Sequence, residues 1–387
     1  MSQLDTHKVV VAMSGGVDSS VAAILLREQG FDVIGISMKT HESPEDSAPC
    51  DPEALSLPTL RHAAKSCCSV EDIMDARHVC QQLDIPFYAM NFKETFKSQV
   101  MDYFAGEYGR GRTPNPCVLC NDQLKFKALL TEAHRLGAYY LATGHYVRKL
   151  RDENGIWHIH QGEDTQKDQS YFLFGLGQEQ LEHLIFPIGT LTKSEVRATA
   201  RKHGIRTADK AESQEICFVP DNNYAGVLER VYPETIKPAG TFRLSDGRSV
   251  GTHRGSHAYT IGQRRGLHVA TGERIYVTAI DSGRNEVTLG SDEDLYHGAL
   301  GASRINWIRG RPQGSNIRVA AKIRYRQRPM PAWVRIEDGN CATVLFDEPQ
   351  RAITPGQAVV FYQKDELIGG GWIEGHEEAS RHSNTGM

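Results

Sequence analysis

Two cysteines stand three positions apart in the stretch PNPCVLCN, which runs from Pro114 to Asn121. The thiols of Cys117 and Cys120 could hold a metal, form a redox pair or serve as nucleophiles of an enzyme, because cysteine supports all three uses. A single Cys-x-x-Cys motif does not distinguish these uses. The other motifs of the chain, and the elements that carry them, must therefore decide the chemistry.

A glycine-rich turn, SGGVDSS at residues 14–20, follows the first apolar run of the chain. Its glycines allow a tight turn that aims backbone N–H groups at an anion, and the start of a helix adds positive potential. The Gly-Lys-Ser/Thr ending of a Walker loop is absent. The turn resembles the pyrophosphate loop of ATP pyrophosphatases, which implies cleavage of ATP between its α and β phosphates. Asp18 is then expected to help hold Mg²⁺, which prefers carboxylate and phosphate oxygens.

Strand-like and helix-like segments alternate through the first half of the chain. The apolar runs KVVVAM, DVIGISM, IPFYAMNF and AYYLATG predict buried parallel strands. Helices are predicted from about Asp18 to Gln29, after Ser69 and around 125–135. This alternation predicts a doubly wound α/β domain with a parallel sheet, and ligands of such sheets bind at the carboxyl ends of the strands. Residues 41–66 are expected to form a polar loop or insertion.

After about Asp221 the pattern changes to short alternating runs separated by glycine-rich turns, which is typical of small β domains. We therefore expect an α/β domain over residues 1–220, a small central β-rich domain over 221–297 and a second β domain over 298–387. The chain after Glu374 is polar and is expected to form a loose tail.

The composition limits the class of protein. The 387 residues exceed one compact core, and the shares of hydrophobic (40%) and charged (24%) residues fit a globular protein. The start, MSQLDTHK, shows no apolar signal region, and no apolar run approaches the roughly 18 residues that span a membrane. We therefore expect a cytoplasmic protein with reduced cysteines.

The charge distribution indicates a site for a polyanion, although the net charge is −4. From Leu295 to Ile336 there is no Asp or Glu, while nine Lys or Arg residues occur. Within this segment AKIRYRQRP predicts a strand with four basic residues on one face, namely Lys322, Arg324, Arg326 and Arg328. The strand would either follow RNA phosphates or be a basic edge strand protected from aggregation.

Seven motifs then occur in a fixed order: TPNPCVLCN, KFKALL, ATGHY, KDQSYFL, ESQEICF, YTIGQRRGL and TPGQ. Together they resemble the family of bacterial tRNA-specific 2-thiouridylases over about Lys8 to Glu374. The resemblance implies that the C2 oxygen of the tRNA wobble uridine is replaced by sulfur at the expense of ATP. It also implies three domains, of which the last is a β-barrel that binds tRNA.

The resemblance assigns residues to both substrates. Ten are expected to contact ATP, namely Ala12, Met13, Ser14, Gly15, Gly16, Val17, Asp18, Ser19, Met38 and Gly144. Ten are expected to contact tRNA, namely Asn115, Pro116, His145, Lys167, Asp168, Gln169, Arg324, Tyr325, Arg326 and Gln357. The target base is expected near Asn115 and Pro116.

The resemblance also assigns the thiols. Cys217 is expected to carry a persulfide, whose outer sulfur attacks the activated C2, and Cys120 is its partner, which releases the product by forming a disulfide. A buried, unreactive cysteine is the alternative for Cys217, because it stands in the apolar run EICFVP.

Cys117 departs from the family, because many members carry Asp at this position. An acidic role near the base does not carry over to a thiol. Cys117, Cys120 and Cys217 could instead hold three irons of a [4Fe–4S] cluster, with the fourth iron open to bind sulfide. The persulfide route is favoured, and both routes use Cys120 and Cys217.

The implied partners are tRNAs for Lys, Glu and Gln and a persulfide donor, either a cysteine desulfurase or a sulfur carrier protein. Two rival functions remain open on the residues. One is another pyrophosphate-loop enzyme that adenylates a small molecule or a different tRNA base. The other is an iron–sulfur or RNA-binding protein without turnover.

Overall fold

The computed structural model describes residues 4–41, 69–212, 216–219, 223–270 and 272–376. Nearly all of the predicted loop at 41–66, and most of the predicted tail after Glu374, lie outside the described residues.

The first part of the chain forms an α/β domain with a parallel sheet. Seven strands occur here, namely β1 (Asp5–Ala12), β2 (Asp32–Lys39), β3 (Phe87–Asn91), β4 (Ala138–Ala142), β5 (Val147–Arg151), β6 (Trp157–Gln161) and β7 (Leu184–Ile185). Five of them form a sheet with the order β3-β2-β1-β4-β7, in which every pairing is parallel.

Within the described residues, eight α-helices accompany these strands: α1 (Val17–Glu28), α2 (Val70–Gln82), α3 (Lys93–Phe96), α4 (Asp102–Gly109), α5 (Pro116–Leu119), α6 (Leu130–Arg135), α7 (Gln178–Glu182) and α8 (Lys193–Lys202). Two π-helical stretches join neighbours: Lys97–Met101 links α3 to α4, and Cys120–Leu129 links α5 to α6.

Both faces of the sheet are covered, as the alternation of strand and helix signals predicts. Because side chains alternate along a strand, Val10 of β1 packs on one face, and Val9 and Val11 pack on the other. The face of Val10 is covered by α4, α5 and α6, and the opposite face by α1, α2 and α8. The doubly wound α/β prediction is confirmed.

A small central domain follows. It contains α9 (Tyr224–Val231), β8 (Gly240–Leu244), β9 (Ser249–His253), β10 (Tyr276–Asp281) and β11 (Glu286–Gly290). The four strands form a sheet with the order β10-β11-β8-β9 around buried Phe242, Val277 and Leu289.

The last strands close into a barrel, as the resemblance implies. They are β12 (Tyr296–Trp307), β13 (Asn316–Lys322), β14 (Met330–Ile336), β15 (Ala342–Arg351), β16 (Ala358–Gln363) and β17 (Glu366–Gly375). The order is β12-β15-β14-β13-β16-β17, and pairing of β12 with β17 completes the ring.

The barrel and the α/β domain share one hydrophobic core. The hairpin β5–β6 leaves the α/β domain and pairs with the barrel, where Ile159 of β6 opposes Leu367 of β17. The same cluster of buried side chains runs from Val10 in the first strand to Trp372 in the last. The relative position of the glycine-rich turn at 14–20 and the barrel is therefore set by apolar packing.

The predicted basic strand is wrong beyond Lys322. Antiparallel pairing of Ala321 with Met330 requires the chain to reverse between them, so residues 323–329 form a turn. A period-two pattern does not apply in a turn. Lys322 itself is 7% exposed, and its ammonium lies 5.5 Å from the ring centre of Tyr325.

No helix within the described ranges is both long enough and apolar enough to cross a membrane.

Candidate active site

A cavity of about 280 Å³ opens at the carboxyl ends of β1, β2 and β4. One wall is formed by the residues that end these strands: Ala12, Met13, Ser14, Met38, Thr40, Thr143 and Gly144. The cavity is also lined by Pro116, Cys117, Cys120 and Asn121 and by residues 216–218. The cavity thus lies where a doubly wound sheet places its ligands.

Close backbone contacts shape the glycine loop of this cavity. Gly15 has a φ of +71°, and a Cβ at this position would lie 2.2 Å from the carbonyl oxygen of Asp72. A Cβ at Gly144 would lie 2.7 Å from the backbone nitrogen of Ser19. Helix α1 starts after Gly16 without a side-chain cap, so its first N–H groups can receive an anion.

Asp18 is held by two donors from distant parts of the chain. Lys193 at the start of α8 places its ammonium 2.8 and 2.9 Å from the two carboxylate oxygens. The hydroxyl of Tyr146 donates to the same carboxylate at 2.7 Å. Burial, and then the charge of Asp18, raise the pKa of Tyr146, which keeps its hydroxyl protonated as a donor.

The ion pair continues outwards from Lys193. Glu212 accepts from Lys193 at 2.9 Å and from Lys167 at 2.7 Å. Burial opposes ionisation of Glu212, but the hydrogen bonds from both lysines outweigh it and lower its pKa. The row of alternating charges fixes Lys193, which is only 9% exposed, at the edge of the cavity.

A second lysine supports the glycine loop from outside. The ammonium of Lys210 lies 2.5 Å from Asp72 and 2.6 Å from Asp75, and donates to the carbonyl of Gly15 at 3.3 Å. This contact ties the loop to α2, which carries both aspartates.

The three cysteines singled out in the sequence line this same cavity. Cys117 lies in α5, Cys120 begins the π-helical stretch, and Cys217 lies on the segment 216–219 opposite them. All three are thiols in this structure. The fold therefore brings Cys120 and Cys217 to one cavity, which residues of the glycine loop also line.

His145 and Asn121 complete the inner wall. His145 is 6% exposed, its Nδ1 lies 2.7 Å from the hydroxyl of Thr143, and burial followed by the charge of Lys125 lowers its pKa well below the usual range. His145 is thus neutral at pH 7. Asn121 is buried, and its Oδ1 lacks a hydrogen-bond partner among the described residues.

The barrel clamps the loop that precedes Cys117. The side-chain amide of Gln357 donates to the carbonyls of Thr113 and Pro114, at 2.9 and 3.1 Å. The N–H of Thr113 donates to the carbonyl of Pro355 at 2.9 Å. The TPGQ motif therefore positions the PNPC loop, which is a role that the sequence alone does not indicate.

The KDQ motif is largely internal. Asp168 is 4% exposed, and its carboxylate accepts from the N–H groups of Gly162 and Ser170, so it does not present itself to a ligand. Lys167 is paired with Glu212. Gln169 lines the cavity and accepts from the N–H of Tyr146 at 3.1 Å.

The remaining predicted tRNA residues lie outside this cavity, except Pro116, which lines it. Asn115 hydrogen-bonds the hydroxyl of buried Tyr171. Tyr325 packs on Phe172 at 4.6 Å between ring centres, and Arg326 is exposed. Arg324 is half-buried and donates to the carbonyl of Ala352.

Sequence reasoning missed Lys193, Glu212 and Lys210. Lys193 follows Thr192, which forms a capping box with Glu195, so its segment indicates only the start of a helix. Lys210 stands in a polar stretch without a motif, and Glu212 opens the ESQEICF motif, from which the sequence reasoning singled out only Cys217. Their proximity to the glycine loop arises from long-range packing.

The described residues include no group of three or more His, Cys, Asp or Glu side chains placed to hold a metal ion. As they stand in this structure, Cys117, Cys120 and Cys217 do not form a ligand set for an iron–sulfur cluster.

The glycine loop and the thiol-lined cavity define an α/β protein of the pyrophosphate-loop class. The chain matches the families described as tRNA methyl transferase HUP domain over residues 7–221, tRNA methyl transferase PRC-barrel domain over 227–291 and aminomethyltransferase beta-barrel domain over 297–373. It is 48% identical over 380 residues to the tRNA-specific 2-thiouridylase MnmA of Geobacter metallireducens, covering 97% of this chain and 98% of that protein.

The corresponding protein of Clostridium acetobutylicum is 45% identical over 367 residues, covering 95% of this chain and 99% of the relative. The chain therefore belongs to the tRNA-specific 2-thiouridylase family. Among solved structures, the NMN synthetase of Francisella tularensis matches with a TM-score of 0.31 and 14% identity, covering 53% of this chain and 65% of that one. A similarity this weak does not bear on the function of the chain.

Proposed function

We propose that this protein replaces the C2 oxygen of the wobble uridine of tRNA by sulfur, while ATP is converted to AMP and pyrophosphate. The observation that carries the proposal is that the pyrophosphate loop and three cysteines line one cavity. Relatives named tRNA-specific 2-thiouridylase, at 45–49% identity, support the same reaction.

The first step activates the base. The O2 atom of uracil attacks the α-phosphorus of ATP, the bond to the bridging oxygen breaks, and pyrophosphate leaves with the electron pair. Backbone N–H groups at the start of α1 would bind the phosphates, and the ammonium of Lys193 lies beside them on Asp18. The O2 atom is then part of an AMP group. C2 therefore carries AMP as its leaving group in place of a carbonyl oxygen.

Mg²⁺ would neutralise phosphate charge during this step. Asp18 would hold it together with phosphate oxygens of ATP, because Mg²⁺ commonly takes only one or two protein carboxylates. Lys193 is paired with this carboxylate in the structure, so Mg²⁺ would share Asp18 with the ammonium or displace it.

The second step transfers sulfur. The outer sulfur of a persulfide on Cys217 attacks C2, and AMP leaves. The thiolate of Cys120 then attacks Sγ of Cys217, which forms a disulfide and releases the 2-thiouracil. An external thiol reductant restores the two thiols, and a persulfide donor reloads Cys217. The presence of both thiols in one cavity supports this order.

The cluster route receives no support from the donor set, because the described cysteines are not arranged as a metal-binding group. We derive no step through a cluster. Cys117 would instead act beside the base, in the position where relatives of the resembled family carry Asp.

The substrate RNA would enter from the side of the PNPC loop, with the base between Pro116 and His145. The unsatisfied Oδ1 of Asn121 beside the cavity suits a base with an N–H donor such as N3 of uracil. We further propose that Lys, Glu and Gln tRNAs are substrates and that the sulfur comes from a cysteine desulfurase or a carrier protein. The cytoplasm is the proposed location.

We propose domain limits at residues 220 and 297, which the family matches at 7–221, 227–291 and 297–373 support.

The deciding experiment incubates the purified protein with unmodified tRNA, ATP, Mg²⁺ and a persulfide donor, and analyses the tRNA nucleosides by mass spectrometry. The expected product is 2-thiouridine at the wobble position, formed with equal amounts of AMP and pyrophosphate. ADP as the product, or AMP release that does not depend on tRNA, would favour another ATP-using enzyme. Absence of any ATP cleavage would favour a binding protein.

A further inference from the structure

A second cavity, of about 400 Å³, lies where all three domains meet. We call it the junction cavity. The α/β domain contributes Thr113, and the barrel contributes Arg324, Arg351, Thr354 and Gln357. The central domain contributes Tyr224 and the turn 260–263, which belongs to the YTIGQRRGL motif. The catalytic chemistry makes no use of this motif.

Two arginines, Arg324 and Arg351, line this cavity, and their positive charges are only partly balanced by carboxylates. Arg351 is paired with Asp292, to which its Nε and Nη2 donate at 3.0 and 2.7 Å. Arg324 makes no ion pair with a carboxylate in the part of the chain that the structure describes, and donates only to Ala352 and Thr354. Among the described residues only Arg351 of these two half-buried arginines has a carboxylate partner, so the two together carry a net positive charge.

An anion in this cavity would stabilise the excess charge. Burial, and next the charge of Arg351, lower the pKa of Arg324, which reflects the cost of holding the two groups together. A planar guanidinium offers paired donors that match the oxygens of a phosphate. The Nη1 of Arg351 takes no part in the hydrogen bonds to Asp292 and can donate to a phosphate. This atom lies 3.7 Å from the position that a Cβ on Gly262 would occupy. A side chain at Gly262 would obstruct the cavity beside it.

The position of the cavity indicates which phosphate it takes. Thr113 lies two residues before Asn115 on the loop that leads to Cys117, and its hydroxyl donates to Thr260 of the central domain at 3.3 Å. Arg264 and Arg265, directly after the turn, are exposed. Exposed arginines of the central domain therefore follow directly on the turn that lines the junction cavity.

We propose that the junction cavity binds a phosphodiester of the tRNA backbone through Arg351 and Arg324, and that this makes the turn 260–263 of the central domain part of the RNA interface. The inference rests on the proposed function, because it assumes a tRNA substrate. Since Thr113 is also held by Pro355 and Gln357, a phosphate bound here stabilises the loop that leads to Cys117 and contains Asn115 and Pro116, where the target base is expected.

The test measures tRNA affinity at several salt concentrations for Arg351→Gln, Arg324→Gln and the control Arg318→Gln. Arg318 is a matched control, because it is also a barrel arginine paired with an aspartate and stacked on an aromatic ring. Loss of one phosphate contact lowers the slope of log K against log salt by about 0.7–0.9. We expect this decrease and a several-fold weaker affinity for the two cavity variants, and no change for Arg318→Gln.

Thermal unfolding separates a binding defect from a folding defect, and the double variant Asp292→Asn/Arg351→Gln avoids an unpaired Asp292. An unchanged slope in folded variants of both cavity arginines overturns the inference. A melting temperature that rises with inorganic phosphate or pyrophosphate in the wild type, but not in Arg351→Gln, overturns the RNA assignment in favour of a free anion. Thiolation is assayed on the same samples. If the variants change the salt slope of tRNA binding as expected but the wild type does not thiolate tRNA, the proposed function is refuted and the RNA site is retained.

Discussion

The ammonium of Lys193 contacts both carboxylate oxygens of Asp18, at 2.8 and 2.9 Å, although 175 residues separate the two in the chain. The pair joins α1, which begins within the glycine loop, to α8 on the same edge of the sheet. Both members of the pair are therefore positioned by the fold itself.

We predict that Asp18→Ala abolishes the formation of AMP and pyrophosphate. The substitution removes the proposed Mg²⁺ ligand and leaves Lys193 without its closest acceptor, and loss of such an electrostatic group costs about 10²–10³ in rate. Release of AMP from labelled ATP is the measurement. Asp209→Ala is the control, because Asp209 is an exposed aspartate paired with Arg201 in the same domain. Normal AMP release by Asp18→Ala would contradict the assignment of the loop.

We predict that Cys120→Ser and Cys217→Ser each lose thiolation, while ATP cleavage with tRNA persists for at least one turnover. Sulfur transfer needs both thiols, whereas activation of the base needs neither. Cys341→Ser in the barrel is the control. Thiolation is followed by mass analysis of the nucleosides, and retention of activity in Cys120→Ser would remove the disulfide step.

The role of Cys117 is tested separately. We predict that protein purified without oxygen contains no stoichiometric iron or labile sulfide, and that Cys117→Asp remains active with a persulfide donor. Stoichiometric iron that is lost together with activity in Cys117→Ala would establish the cluster route instead.

The turn between β13 and β14 separates two kinds of basic residue. We predict that Arg326→Ala lowers the salt slope of tRNA binding by about 0.7–0.9, since this side chain is exposed. Lys322→Ala should leave the slope unchanged and lower the melting temperature, because Lys322 is buried against Tyr171 and Tyr325. If Lys322→Ala lowered the salt slope and Arg326→Ala lowered only the melting temperature, the interpretation of 322–328 as a basic strand would be restored.

Gly356 tests the clamp on the PNPC loop. Its φ is +89°, and a Cβ there would lie 2.9 Å from the carbonyl oxygen of Thr113. We predict that Gly356→Ala costs about 1–3 kcal/mol from backbone strain and collision, and reduces thiolation. Gly314→Ala is a matched control, because its φ is also +89° but no atom lies within 4 Å of the added Cβ. Equal losses of stability and activity in the two variants would show that the strain alone matters.

The acid stability of the protein depends in part on Glu374. Burial opposes its ionisation, but hydrogen bonds from Arg112 and Ser303 outweigh burial and lower its pKa below the ordinary value of about 4.5. A carboxylate with a lowered pKa in the folded state stabilises it above the unfolded pKa, and this contribution is lost as pH falls through the folded pKa. We predict that Glu374→Gln is less stable than the wild type at pH 7, and that the difference narrows below about pH 4.5. Denaturant unfolding at pH 7, 5 and 4 measures this difference in the free energy of unfolding. Glu348→Gln is the control, because Glu348 is exposed.

Local patterns in the sequence were sufficient for part of this result. The order of apolar runs and helical segments gives the doubly wound sheet, since strand and helix periods are properties of neighbouring residues. The glycine loop and its missing Walker lysine indicate the class of nucleotide chemistry, because a phosphate loop is built from consecutive residues. The family motifs add the barrel and name Cys120 and Cys217.

Only the tertiary structure decided which distant residues meet. Lys193 and Glu212 join Asp18, Gln357 clamps Thr113, and the β5–β6 hairpin extends the barrel through contacts between residues far apart in the chain. No local periodicity encodes such contacts, because they depend on how the apolar faces of the domains pack together. The basic run at 322–328 shows the same limit, since the reversal imposed by the pairing of Ala321 with Met330 overrides a strand pattern in the sequence.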